Sequence, residues 1–175
     1  MTVTINGSAG VTTNSGAVYD SLQRATAVAS TSGTSIDFTS IPSWVRRITV
    51  MFQGVSTNGT SIVQAQIGAG SVTTSGYNSS SSYLATTTGT TQATTGFLIH
   101  AGATGTTILR SGHLILTNIS SNIWVASGLF KSDSVADTGT SVGTVTLGGT
   151  LDRVRVTTVN GTDAFDAGTI NIIYE

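Results

Sequence analysis

Between positions 47 and 55, Ile48, Val50 and Phe52 alternate with Thr49, Met51 and Gln53. A period of two marks a strand with one buried face, because successive side chains point to opposite sides of a sheet. The period returns at 61–67, where Val63, Ala65 and Ile67 oppose Gln64 and Gln66, and at 151–159, where Val154 and Val156 alternate with Arg153 and Arg155. The first two runs flank Asn58-Gly59 and read as an antiparallel hairpin whose connection exceeds the two-residue minimum. After a turn at Asn160-Gly161, residues 169–174 place Ile170, Ile172 and Tyr174 on one face.

Weaker strand signals complete the pattern. Residues 2–5 end at Asn6-Gly7, a pair that tolerates the positive φ of a tight turn. Residues 25–30 and 35–38 follow, with Ile36 and Phe38 on one side, and Pro42 turns the chain toward Trp44. Further strands are predicted at 96–100, 113–118, 123–131 and 142–147. Residues 17–24 have some helical character, and 68–95 reads as a long exposed Gly/Ser/Thr loop with at most one short strand near Tyr83. These elements predict an all-β chain: an antiparallel two-sheet sandwich, jelly-roll-like, of about eight to ten strands. It would occupy residues 25–175, behind a short N-terminal extension, residues 1–24, that serves as an attachment segment.

Composition strengthens the all-β reading. Ser and Thr supply roughly a third of the 175 residues, with 21 Gly and one Pro. Glu175 is the sole glutamate and Lys131 the sole lysine, so the polar helix formers are almost missing and a helical bundle is excluded. Charged residues make up only 9% of the chain against 38% hydrophobic, which argues against disorder. A net charge of -1 offers no basic stripe for a phosphate backbone, so nucleic acid is not an expected partner. No apolar run approaches the roughly 20 residues of a membrane-spanning helix, and membrane insertion is not expected. The N-terminus does not read as a signal peptide. With no cysteine, neither disulfides nor thiolate metal sites contribute.

Candidate chemistry is sparse. His100 and His113 lie at or near apolar strands without a nucleophile elbow, and read as structural or surface groups. A paired-carboxylate glycosidase would have to rely on Asp for both acids, so no enzymatic activity is expected. Asp133 with Asp137, and Asp163 with Asp166, bracket loops that a calcium ion could use, but Asp capping its own turn is the favoured reading. No metal ligands and no cofactor are assigned. The remaining candidates are Tyr77, Asn78 and Tyr83, in the Gly/Ser/Thr tract, as receptor-binding residues: aromatic faces stack on sugars and amides pair donors with acceptors. Trp44 and Trp124 read as core or interface residues.

The stretch Ser35-Ile-Asp-Phe-Thr-Ser-Ile-Pro-Ser-Trp-Val-Arg-Arg-Ile-Thr-Val-Met-Phe52, continued by Gln53-Gly-Val-Ser-Thr-Asn-Gly-Thr60, resembles a segment of bacteriophage tail-fibre and tail-tip proteins. Residues 151–175 resemble the C-terminal end of the same group. The resemblance implies a virion tail protein, assembled in the host cytoplasm, whose distal β-sandwich touches the host surface, a glycan or a protein, without cleaving it. It also implies a homotrimer, joined here to other tail proteins through residues 1–24. The alternative is a purely structural subunit, such as a capsid decoration or a tail or baseplate component.

Overall fold

The computed structural model describes residues 22–102, 105–133 and 135–175 in full, and residues 3–6, 10–13 and 18–19 as backbone. Every regular element among them is a strand. β1 (Val3–Asn6), β2 (Gly10–Thr13) and β3 (Val18–Tyr19) form a three-stranded antiparallel sheet in that order. The rest of the chain runs through β4 (Gln23–Arg24), β5 (Val28–Ala29), β6 (Ser35–Thr39), β7 (Arg47–Thr57), β8 (Val63–Ala69) and β9 (Ser71–Val72). It continues with β10 (Asn78–Leu84), β11 (Thr88–Ala93), β12 (Phe97–Leu98), β13 (Arg110–Ser120) and β14 (Ile123–Ser132). β15 (Asp137–Thr146), β16 (Arg153–Thr158) and β17 (Phe165–Tyr174) complete it.

Two antiparallel sheets enclose the core. The nine-stranded sheet has the order β11-β10-β15-β14-β13-β7-β17-β4, with β5 also beside β17. The five-stranded sheet has the order β12-β8-β16-β6, with β9 beside β8. Alternation decides what lies between them. Ile48, Val50, Phe52, Leu114, Leu116, Trp124, Phe130, Ile170 and Ile172 face inward from the large sheet, and Ile36, Phe38, Val63, Ala65, Ile67, Val154 and Val156 from the small one. Phe52 and Phe130 meet edge to face at 5.5 Å, and Tyr77 and Phe97 at 4.9 Å. The antiparallel two-sheet sandwich is therefore as the hydrophobic pattern predicts.

Three expectations need correction. First, β7 and β8 are not a hairpin: β7 pairs with β13 and β17, whereas β8 pairs with β12, β16 and β9. The chain between them passes from one sheet to the other. Second, residues 68–95 are not a loop. They form β9, β10 and β11, and β10 pairs along its whole length with β15 and from Ser79 to Leu84 with β11, so the sheets hold more strands than eight to ten. Third, the segment with helical character contributes strands β3 and β4, and β4 joins the large sheet by pairing with β17.

The strands the pattern missed carry serine where a core residue is expected. Ser79, Ser81 and Ser141 face inward and are almost fully buried. Ser79 Oγ accepts from the Leu98 amide at 3.1 Å and Ser81 Oγ from the Ala101 amide at 3.0 Å, while Ser141 Oγ donates to the Leu98 carbonyl. A hydroxyl is short enough to let the two sheets close together and polar enough to satisfy backbone groups that burial would otherwise strand. This serine seam joins β12, at the edge of the small sheet, to β10 and β15 of the large one.

Candidate functional site

On the outer face of the small sheet, the residues that alternate with the core form two rows. Asp37, Arg155 and Gln66 lie side by side across β6, β16 and β8, and Ser35, Thr157 and Gln64 form the row next to them. Thr74, Thr95 and the turn at 158–161 wall these rows into a groove of about 320 Å³. Its groups are held by internal bonds. Arg155 donates through Nε and Nη2 to the two oxygens of Asp37, both at 2.7 Å, and these bonds raise the pKa of the guanidinium. A fork-to-fork pair of this kind fixes orientation as well as charge.

The glutamines are more deeply set. Gln66 is 5% exposed and gives its amide N–H to the Thr95 carbonyl at 2.8 Å; Gln64 is 2% exposed and accepts from Thr95 Oγ1 at 3.0 Å. Glycine at 96 makes this possible, because a Cβ there would stand 2.7 Å from Gln64 Oε1. Thr157 Oγ1 donates to the Thr34 carbonyl, and Thr158 Oγ1 is held by Asn160 Oδ1. The result is a surface of amides and hydroxyls whose positions are set before any ligand arrives.

The outer face of the large sheet is different. Along β10, β15 and β14 it shows Ser and Thr interspersed with Leu84, Val142 and Leu129, which are 64%, 52% and 60% exposed. A shallow depression of about 590 Å³, largely apolar, lies over Leu84, Leu129 and Thr140 with Lys131 at one side. Exposed aliphatic groups gathered on one face mark a contact surface more often than scattered ones do.

The predicted receptor residues separate. Tyr77 is a core residue at 2% exposure: its hydroxyl accepts from the Ile67 amide at 2.8 Å and donates to a carbonyl, Ile67 at 3.2 Å or Thr73 at 3.1 Å. Burial pushes its pKa up to about 12, and its ring is not available to a receptor. Asn78 is exposed at the start of β10. Tyr83 is half-buried, its ring against Gly89, and lines a cavity of about 410 Å³ with Asp137, Gly102 and Thr86. Trp124 is buried, whereas Trp44 is 39% exposed and packs its ring against Tyr174 at 6.0 Å.

Each aspartate of the acidic pairs is engaged by its own hydrogen-bond donors. Asp133 accepts from Ser111 Oγ at 2.8 Å near the surface, whereas Asp137 is buried and accepts from the Ser132 amide at 3.1 Å. Asp163 accepts from Asn160 Nδ2 at 2.6 Å and the Ser61 amide at 2.9 Å, which hold its pKa below the usual carboxylate range, while Asp166 accepts from Ser56 Oγ. Among the described residues, no three His, Asp or Glu side chains gather around a common point.

His100 is fully buried between two glycines; a Cβ at Gly102 or Gly139 would stand 2.2 or 2.5 Å from its ring. Its Nδ1 accepts from the Gly102 amide at 3.0 Å, so Nε2 carries the proton and lies 3.5 Å from Asp137 Oδ1. Burial lowers its pKa, against the pull of Asp137. His113 instead lies on the outer face of the large sheet, opposite Leu129 in the strand register.

Sequence reasoning did not single out Gln64, Gln66, Thr95 or Arg155 as a site. Gln64 and Gln66 were visible as the polar half of an alternating strand, but only the pairing of β8 with β16 sets them beside Arg155 and Thr157. Comparison with protein-family models, curated proteins and solved structures returned no match.

Proposed function

We propose that this chain is a phage tail-fibre or tail-tip subunit that binds the host cell surface without cleaving it. The observation that supports this reading is the groove over Gln64, Gln66 and Arg155: polar, open to solvent and held in place by internal hydrogen bonds. A recognition surface needs such prearrangement, because ordering flexible side chains on binding costs affinity. Several copies in one particle, as a homotrimer or a higher array, would compensate for a weak individual contact. In this reading the residues ahead of β4, which itself belongs to the large sheet, attach the sandwich to other tail proteins.

The test is adsorption. Purified full-length chain should bind host cells and compete with infecting particles; a chain that does neither over a wide concentration range refutes the reading. A second reading, a subunit that only fills an interface in the particle, draws support from Leu84, Leu129 and Val142 on the open face of the large sheet. Under it, particles lacking the chain fail to assemble and host cells are not bound.

A further inference from the structure

We infer that the groove on the outer face of the small sheet is a binding site for a neutral, hydroxyl-rich ligand, a pyranose ring of a surface glycan. The inference rests on the adhesin reading for its biological setting, but its chemistry comes from the groove. The lining mixes donors with acceptors: two glutamine amides, the hydroxyls of Thr74, Thr95 and Thr157, and the edge of one guanidinium. Vicinal sugar hydroxyls each donate and accept, and amides are the side chains that answer both demands in one plane.

The hydrogen bonds inside the groove leave capacity that faces outward. Gln66 uses its N–H on the Thr95 carbonyl, and its Oε1 makes no bond to the described residues. Arg155 uses Nε and Nη2 on Asp37, so Nη1 is left over. A buried polar group needs partners, and neither Gln66 Oε1 nor Arg155 Nη1 is a buried atom that lacks one. The remaining capacity of Gln66 and Arg155 is therefore open to water or to whatever displaces it.

Charge selects the ligand class. Among the described residues Arg155 is the only charged side chain lining the groove, and Asp37 neutralises it through two short bonds. An unpaired arginine would favour a carboxylate or a phosphate. A paired one offers hydrogen bonds without net attraction, which favours a neutral sugar over a uronate. The volume, about 320 Å³, is at the small end of ligand pockets and suits a short stretch of glycan rather than a long one.

The experiment is a titration of isotope-labelled full-length chain, followed by amide chemical shifts, with oligosaccharides from dextran, mannan and galactan and with oligogalacturonate as the acidic comparator. At least one neutral probe should shift the amides of β8, β16 and residues 94–96, and oligogalacturonate should bind at least several-fold more weakly. Gln66→Leu should weaken the neutral probe about tenfold. Because a buried substitution can disturb folding, Thr74→Trp serves as a second variant: Thr74 is exposed, and an indole there fills the groove and abolishes the shifts in a folded protein. Shifts confined to other surfaces, no shift with any neutral probe, or tighter binding of the uronate overturn the inference. Host-cell adsorption is measured in parallel. Chain that adsorbs to cells equally well with and without Thr74→Trp retains the adhesin reading and loses the groove, whereas groove shifts without adsorption do the reverse.

Discussion

The two outer faces of the sandwich are built on the same core yet present opposite chemistry. On the small sheet, the residues that point away from Val63, Ala65, Ile67, Val154 and Val156 are amides, an Arg–Asp pair and hydroxyls, and most are tied to one another. On the large sheet, the outward row of Ser and Thr carries exposed Leu84, Leu129 and Val142. Strand alternation requires one face of each sheet to be apolar and leaves the other unconstrained, so function is written on the outward half of the period. A tied polar face suits recognition of small hydroxylated groups; a loosely aliphatic one suits burial against another protein.

Perturbing what the faces share should have the largest effect. Phe97→Ala removes a fully buried ring between the sheets and is expected to cost about 3–5 kcal/mol, read as one cooperative shift in urea unfolding that weakens both faces together. Tyr77→Phe is a narrower change, confined to a hydroxyl that meets β8 and Thr73. It leaves the Ile67 amide without its acceptor and should cost about 1–3 kcal/mol by the same measurement, without loss of the outer face of the large sheet.

Acid should loosen the flank where the faces meet. Because burial depresses the folded-state pKa of His100 below its ordinary value of 6.5, the unfolded chain binds the extra proton first. The contribution of His100 to stability is complete above pH 6.5 and declines as the pH falls below it. The groups facing the ring are Asp137, which opposes the shift, and Arg110, which reinforces it. Thermal unfolding between pH 8 and pH 5 should show Tm falling on the acid side, and His100→Gln should flatten that dependence.

The smallest effects on stability belong to the exposed faces and sharpen the contrast between them. Leu84→Thr with Leu129→Thr should change stability by no more than about 0.5 kcal/mol each. If the aliphatic face joins copies or neighbours, the pair should nevertheless lower self-association in sedimentation. Arg155→Ala breaks a solvent-exposed ion pair and should cost only about 0–1 kcal/mol in urea unfolding, while releasing Asp37 to repel acidic probes from the groove.

Much of the scaffold was legible because it depends on local periodicity. The inward sets Ile48/Val50/Phe52, Val154/Val156 and Ile170/Ile172 all lie where alternation predicts, as do Arg153 and Arg155 opposite the valines. Periodicity says which side of a strand is buried but not which sheet the strand joins. That is why β7 and β8, both apolar on one face and separated by a short polar connection, were read as partners when they lie in opposite layers. The run Asn78-Ser-Ser-Ser-Ser-Tyr-Leu84 shows no alternation of apolar and polar residues beyond a short signal near Tyr83, since Ser79 and Ser81 occupy the inward positions. Tyr77 was read as displayed because the tract around it looked like loop; once β10 and β11 are strands, its ring has a core to enter. The groove escaped notice because its residues come from β8, β16 and the segment before β12, which the chain brings together only through long-range pairing.

The serine seam has a consequence for assembly. A sheet margin with idle amides and carbonyls can be extended by a visiting strand from another molecule. At Leu98 both backbone groups on that side are already engaged by Ser79 and Ser141, so this flank is closed to copolymerisation. Other margins carry no such engagement: β6 on the small sheet, and on the large sheet β11 at one end and β4 with β5 at the other. Capping those margins would guard a chain without a single disulfide against strand exchange at high concentration.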